Sequence, residues 1–214
     1  MRRRLMLRSR AGVSPVLPAA YQQVEYIESS GTQAIKTDKW LKQDTEIYCE
    51  FMYVAATVGQ WDYLFTFGCA NPTCGFANQA DTGKTVYCSF GSVADKTFNV
   101  PTDDYFYNVF HTALINSTGC TVDSTYSASY SGTISTENSA SKIALFARSN
   151  TSGVLERFSS RKIKAFQIRE GGVLVTNLIP CYRKSDDVIG MYDTVSDTFY
   201  TNAGTGVFTK GANV

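Results

Sequence analysis

His111 is the only histidine among the 214 residues, so any Ser-His-Asp or Cys-His site would have to run through it. It lies within Phe110-His111-Thr112-Ala113-Leu114-Ile115, which reads as a strand, and no G-x-S-x-G turn displays a nucleophile. The pattern favours a structural histidine over a catalytic one. Paired carboxylates are the next chemistry to consider. Glu46 and Glu50 share one face of a strand, but four residues at about 3.3 Å each set them about 13 Å apart. Glycosidases place their two carboxyls about 5 to 9.5 Å apart, so this pair reads as an exposed polar stripe. A Gly-rich loop running into Lys-Ser or Lys-Thr, which would cradle phosphates, is absent from the sequence. No cofactor is implied, and the expectation is a protein that is not an enzyme.

Cys69 and Cys74 flank an Asn-Pro-Thr turn and could pair or share a metal. Their C-x4-C spacing has no second pair beside it, and His111 is the only imidazole, so no metal site is expected. Asp186 and Asp187 offer oxygen ligands, although acid-rich turns are more often solvated than calcium-loaded. Cys49 alternates with Ile47 and Phe51, and Cys88 with Val86 and Phe90, which places both thiols on inward faces as small apolar groups. Aromatic rings suit the axial C–H groups of pyranoses. Trp61 with Asp62 and Tyr63, and Tyr105 with Tyr107, are therefore the candidates for stacking on a glycan, set against the commoner role of strand aromatics as core.

The elements that must position these groups are strands. From Tyr21 onward, short apolar or alternating runs are cut by Gly, Asn, Asp and Ser, and helical periodicity is almost absent. Expected strands are 23–28, 32–37, 45–55, 62–68, 84–91, 105–115, 119–123, 142–148, 161–169, 173–182, 187–192 and 197–201. Glu170-Gly171-Gly172 joins two of them in a tight hairpin, because glycine supplies the positive φ such a turn needs. Along 161–169, alternation puts Ile163, Ala165 and Gln167 on one face and Lys162, Lys164, Phe166 and Ile168 on the other. That parity is imperfect, as for a strand covered in part on both sides. Residues 124–141, rich in Ser, Thr and Tyr, read as surface loops or an edge strand. With 43% hydrophobic and 18% charged residues, residues 20–214 suffice for one all-β domain with a large core.

The net charge of +1 conceals a division. Residues 1–19, a basic arm and Pro-containing linker, hold Arg2, Arg3, Arg4, Arg8 and Arg10 and no acid, which leaves 15 basic against 19 acidic residues in the rest. An arm of +5 on a body of −4 could lie on an acidic partner, on its own body or on nucleic acid, and assembly contacts are the leading expectation. The basic charge is not interleaved with aromatic platforms, so sequence-specific nucleic-acid binding is not expected. No segment approaches the roughly 18 apolar residues of a membrane span, and Arg8 and Arg10 break the apolar run that a signal peptide needs after Arg2–Arg4.

The stretch Leu17-Pro18-Ala19-Ala20-Tyr21-Gln22-Gln23-Val24-Glu25-Tyr26-Ile27-Glu28-Ser29-Ser30-Gly31-Thr32-Gln33 resembles the opening of a laminin-G-like, concanavalin A-like module found in proteins of gut bacteria and their phages. Ile179-Pro180-Cys181-Tyr182-Arg183-Lys184-Ser185-Asp186, Val188-Ile189-Gly190-Met191-Tyr192-Asp193 and Phe199-Tyr200-Thr201-Asn202-Ala203-Gly204-Thr205-Gly206 resemble its close. The resemblance implies a two-sheet antiparallel jelly-roll sandwich with roles in adhesion, glycan binding or virion architecture. Where the family's first strand usually reads Gln-Tyr-Ile-Asp-Thr-Gly, this chain has Gln33-Ala34-Ile35-Lys36-Thr37-Asp38, so no binding residue carries over. The acid-x-acid-x-x-acid signature of glucanases with this fold is also absent. The expected function is a bacteriophage virion component, a capsid decoration, head fibre or tail protein, made in the host cytoplasm and anchored to other assembly proteins by its arm. Homo-oligomerisation stays open. The alternative is a lectin-like module for surface polysaccharide.

Overall fold

A computed structural model describes residues 17–54, 61–68, 75–79, 84–93, 95–131 and 141–214. The arm arginines Arg2, Arg3, Arg4, Arg8 and Arg10, and the Cys69–Cys74 pair, lie outside the described residues. In chain order the strands are β1 (Tyr21–Gln23), β2 (Ile27–Ser30), β3 (Ile35–Lys36), β4 (Thr45–Tyr53), β5 (Trp61–Thr66), β6 (Gly75–Gln79), β7 (Thr85–Cys88), β8 (Lys96–Asn99), β9 (His111–Asn116) and β10 (Gly119–Val122). There follow β11 (Tyr126–Ser129), β12 (Ala144–Leu145), β13 (Arg148–Ser149), β14 (Leu155–Glu156), β15 (Ser160–Glu170), β16 (Val173–Arg183), β17 (Ile189–Asp193), β18 (Thr198–Tyr200) and β19 (Thr209–Lys210). No helix occurs among the described residues.

The strands form an antiparallel β-sandwich. The larger sheet runs β11-β10-β9-β4-β15-β16-β17-β18, with β1 on β16 and a β19–β2 ribbon on β15; the smaller runs β3-β12-β5-β6-β7-β8. Period-two alternation decides which side chains meet between them. In β4, Ile47, Cys49 and Phe51 point inward while Glu46, Tyr48, Glu50 and Met52 point out. β9 buries His111, Ala113 and Ile115, and β7 buries Val86 and Cys88. The inner faces interlock through aromatic pairs: Phe51 meets Phe76 at 5.5 Å and Phe166 meets Phe65 at 5.8 Å between ring centroids.

β15 corrects the expected alternation. Its register against β4 shifts between Ile163 and Ala165, a β-bulge that leaves Lys164 exposed and changes the parity beyond it. Arg161 and Ile163 face inward before the bulge, and Phe166 and Ile168 after it. Imperfect parity therefore marked an extra residue in one strand, whose outward side chains other than Lys164 are half-buried. The hairpin from β15 to β16 turns on Gly171 and Gly172, at φ of 54° and 80°. The expected strand 105–115 is shorter: the strand begins at His111, and 101–110 folds over the sandwich with a single parallel bridge from Tyr107 to Tyr53. The expected 23–28 strand divides into β1 and β2.

The two ends of the sequence resemblance meet in space. Asn202 Oδ1 accepts from Ala34 N at 3.0 Å and Gly204 N at 2.8 Å, and its Nδ2 donates to Thr205 O and Gly206 O. Gln33 Oε1 accepts from Ser30 N and Ser29 Oγ while its Nε2 donates to Val207 O. A Cβ on Gly204 would come within 2.3 Å of Thr32 O, so only glycine allows this approach. The turn returns Phe208 to the core against Phe146, at 5.4 Å between rings.

Candidate functional site under the 101–110 segment

Aromatic and ionisable side chains concentrate where residues 101–110 cross from the smaller sheet to the larger. Backbone bonds shape this segment: Tyr105 N donates to Thr102 O, Tyr107 N to Asp104 O, and Tyr53 N to Phe106 O. Phe106 is buried against Phe51 and Tyr53, at 5.4 Å and 4.8 Å between rings. Tyr105 and Tyr107, on either side of it, are thereby sent to different neighbours.

Tyr105 packs its ring on His111 at 4.5 Å and donates its hydroxyl to Asp123 Oδ2 at 2.8 Å. Asp123 follows β10, where it adopts a left-handed φ of 49° that aims its carboxylate back at β9. There it takes His111 Nδ1 at 2.6 Å, Thr112 N at 2.8 Å and Thr112 Oγ1 at 3.3 Å. Burial pushes the Asp123 carboxyl up, but the bonds from Thr112 N, His111 and Tyr105 outweigh it and hold the group below the ordinary carboxylate value. Tyr105 is pushed up by burial and by the carboxylate it faces. His111 is 8% exposed, and its Nε2 has no hydrogen-bond partner among the described residues. An Asp–His pair can orient a base, yet here no described hydroxyl or thiol bonds to that base. What the four contacts do achieve is to join the 101–110 segment, β9 and the β10–β11 turn.

Tyr107 faces the second centre. Its ring stands edge-on to Tyr53 at 5.8 Å, and the Arg161 guanidinium lies 3.4 Å over the other partner of that edge, the Tyr53 ring. Arg161 Nη2 reaches Asp62 Oδ2 at 3.0 Å, and Nη1 donates to Ser160 O. Arg161 is 1% and Asp62 2% exposed, one from β15 in the larger sheet and one from β5 in the smaller. A desolvated ion pair thus bridges the two layers. Burial raises the Tyr53 phenol strongly, against the opposing pull of Arg161.

The glycan candidates divide between two places. Trp61 and Tyr63 belong to β5, on the face turned away from the core, where Trp61 meets Tyr87 of β7 edge-on at 4.2 Å. Trp61 is half-buried, whereas Tyr63 is 1% exposed and has no ring face to offer a ligand. Tyr105 and Tyr107 are engaged with His111 and Tyr53 and do not form a shared platform with Trp61. Arg161 was not singled out in the sequence, and Asp62 was noted only beside Trp61 and Tyr63 as part of a glycan candidate, not as an ion-pair partner. The available signals were an acid inside the apolar run Trp61–Thr66 and an arginine two residues before Ile163, on its face. Asp186 is held by Arg183, with 2.7 Å the shortest contact, and no cluster of three or more metal-binding side chains occurs among the described residues.

Neither a scan against protein-family models nor a search of curated proteins finds a match to this chain.

Proposed function

We propose that this chain is a non-enzymatic structural component of a bacteriophage particle, a capsid decoration, head fibre or tail protein. In it a concanavalin A-like jelly roll projects, and the basic arm grips an acidic neighbour. The observation that carries this reading is the contrast between arm and body. The five arginines of residues 1–19 carry no acid among them, while in the body the buried Arg161 is spent on Asp62. The point of departure supports it as well: Val214 N donates to Gln23 O and Gln22 Nε2 to Val214 O, so the chain leaves the sandwich at a tied corner. Pulling on the arm would load β1 and β16, which pair through Tyr21↔Arg183.

The test is incorporation. Chain lacking residues 1–19 should be missing from purified particles that retain the full-length chain, and the five-arginine-to-glutamate variant should be lost with it. Equal incorporation of residues 20–214 would overturn the anchoring role.

A second reading, a lectin-like module for surface polysaccharide, is favoured by the Trp61–Tyr87 pair on the outward side of the smaller sheet. A glycan array should then show saturable binding that Trp61→Ala abolishes; a blank array rejects it.

A further inference from the structure

A hollow of about 160 Å³ lies on the outward face of the larger sheet, at the end formed by β9, β10 and β11. Strand register decides what lines it. Leu114 of β9 stands beside Thr121 of β10, and Thr121 beside Ser127 of β11; one row further, Asn116, Gly119 and Ser129 stand in the same order. Alternation turns these six away from the core, since Ala113, Ile115, Cys120 and Val122 between them are buried. Gly119 opens the middle. A Cβ there would come within 2.4 Å of Ala128 O, so the close approach of β11 demands glycine, and the floor of the hollow is left without a side chain.

The polar groups around that floor are of two kinds. On the same hairpins the hydroxyls of Thr112, Thr118 and Thr125 are spent on the Asp123 carboxylate, the Asn116 amide and the Asp123 carbonyl. Those of Thr121, Ser127 and Ser129 line the hollow and make no hydrogen bond among the described residues. No charged side chain is in the lining, and the charge at its margin is an anion: Glu46 Oε2 lies 3.5 Å from Asn116 Nδ2. A phosphate or carboxylate would find no cation there and would be repelled by Glu46. The complement is a neutral ring that lays an apolar face on Leu114 and the glycine floor and exchanges hydrogen bonds at its edge with the three uncommitted hydroxyls.

We propose that this hollow binds one neutral hexose unit of a polysaccharide. Its volume is below the roughly 300–1,000 Å³ of pockets that enclose larger ligands, so a single ring is the unit it takes. Such a site rests on the lectin-like reading and deepens it, adding a contact on the layer opposite the Trp61–Tyr87 pair. Because no charge takes part, binding is insensitive to salt.

The experiment titrates the isotope-labelled full-length chain with the methyl glycosides of glucose, galactose and mannose and follows the backbone amide signals by NMR. At least one glycoside should give saturable shifts confined to residues 116–121 and 127–129, equal at low and high salt, retained in Trp61→Ala and lost in Thr121→Tyr, whose ring fills the hollow. Ser129→Tyr, on the exposed border strand, serves the same purpose should the first variant not fold. Shifts that centre on Trp61 and Tyr87, or that survive both tyrosine variants, would overturn this site and leave the lectin-like reading in place. An absence of saturable shifts with all three glycosides overturns the site as well, and the glycan array then decides separately whether the lectin-like reading falls with it.

Discussion

Two regions tie distant parts of this sandwich together, and they do so with opposite chemistry. The clasp of Gln33 and Asn202 is built from neutral amides that meet backbone donors and acceptors: Asn202 alone uses both lone-pair positions and both N–H groups. The centres under residues 101–110 are built around charge: Arg161 lies on Asp62, and the Asp123 carboxylate accepts from His111, Thr112 and Tyr105. Amides are satisfied at any pH and tolerate burial once their bonds are made. A buried ion pair depends on both its members, because removal of Arg161 or Asp62 strands the other in a medium that cannot solvate it. The clasp is thus insensitive to its surroundings, and the charged centres are conditional.

The largest break in that comparison comes from the buried pair. Arg161→Ala leaves the Asp62 carboxylate without its guanidinium in the core and should cost about 3–5 kcal/mol, read as a fall in the urea midpoint. Arg161→Met combined with Asp62→Leu should recover most of the loss, since neither charge then remains to be solvated. A double variant no better than Arg161→Ala would show that the pair's value lies in its cation–π contact with Tyr53 and not in charge compensation.

The clasp should break next. Asn202→Ala orphans Ala34 N and Gly204 N and should cost about 2–3 kcal/mol. That loss should be the same at pH 4 and pH 7, which calorimetry at the two values checks; a pH-dependent loss would contradict the amide account.

Asp123→Asn comes third, at about 1–2 kcal/mol at neutral pH, because the charge-assisted bonds to His111 and Tyr105 weaken while the backbone bond to Thr112 can persist. Here the pH dependence has a definite sign. The folded state holds this carboxyl below its unfolded value of about 4, so its contribution is complete above that value and is lost as pH falls through the lowered one. Wild type should therefore converge on the variant in acid, and a constant gap across the titration would refute the linkage. Smallest of all is Lys164→Ala. Its 2.9 Å bond to Glu50 is exposed, and the change should stay within about 0.5 kcal/mol.

How much of this was legible beforehand varies by residue. Cys49 and Cys88 were placed inward from their neighbours at i±2, and both are fully buried. The Gly171-Gly172 turn was legible because a positive φ needs a particular residue, which the sequence names outright. Glu46 and Glu50 lie on the outward face of β4 as expected, meeting Asn116 and Lys164. β6 and β8 went unread: Gly75–Gln79 begins on a glycine with little apolar content, and Lys96–Asn99 has no deeply buried residue. Tyr63 was a glycan candidate because its ring chemistry suits a pyranose, and residue type alone does not tell a stacking ring from a packed one. Its burial here is almost complete.

The sequence by itself determined the alternation of faces along β4 and β7 and the tight turn after β15, because each depends on residues two or three positions apart. Only the tertiary structure decided the meeting of Arg161 with Asp62 and the closing of Asn202 on Ala34. These rest on which strand lies opposite which, and the chain between partners leaves no local trace of that choice.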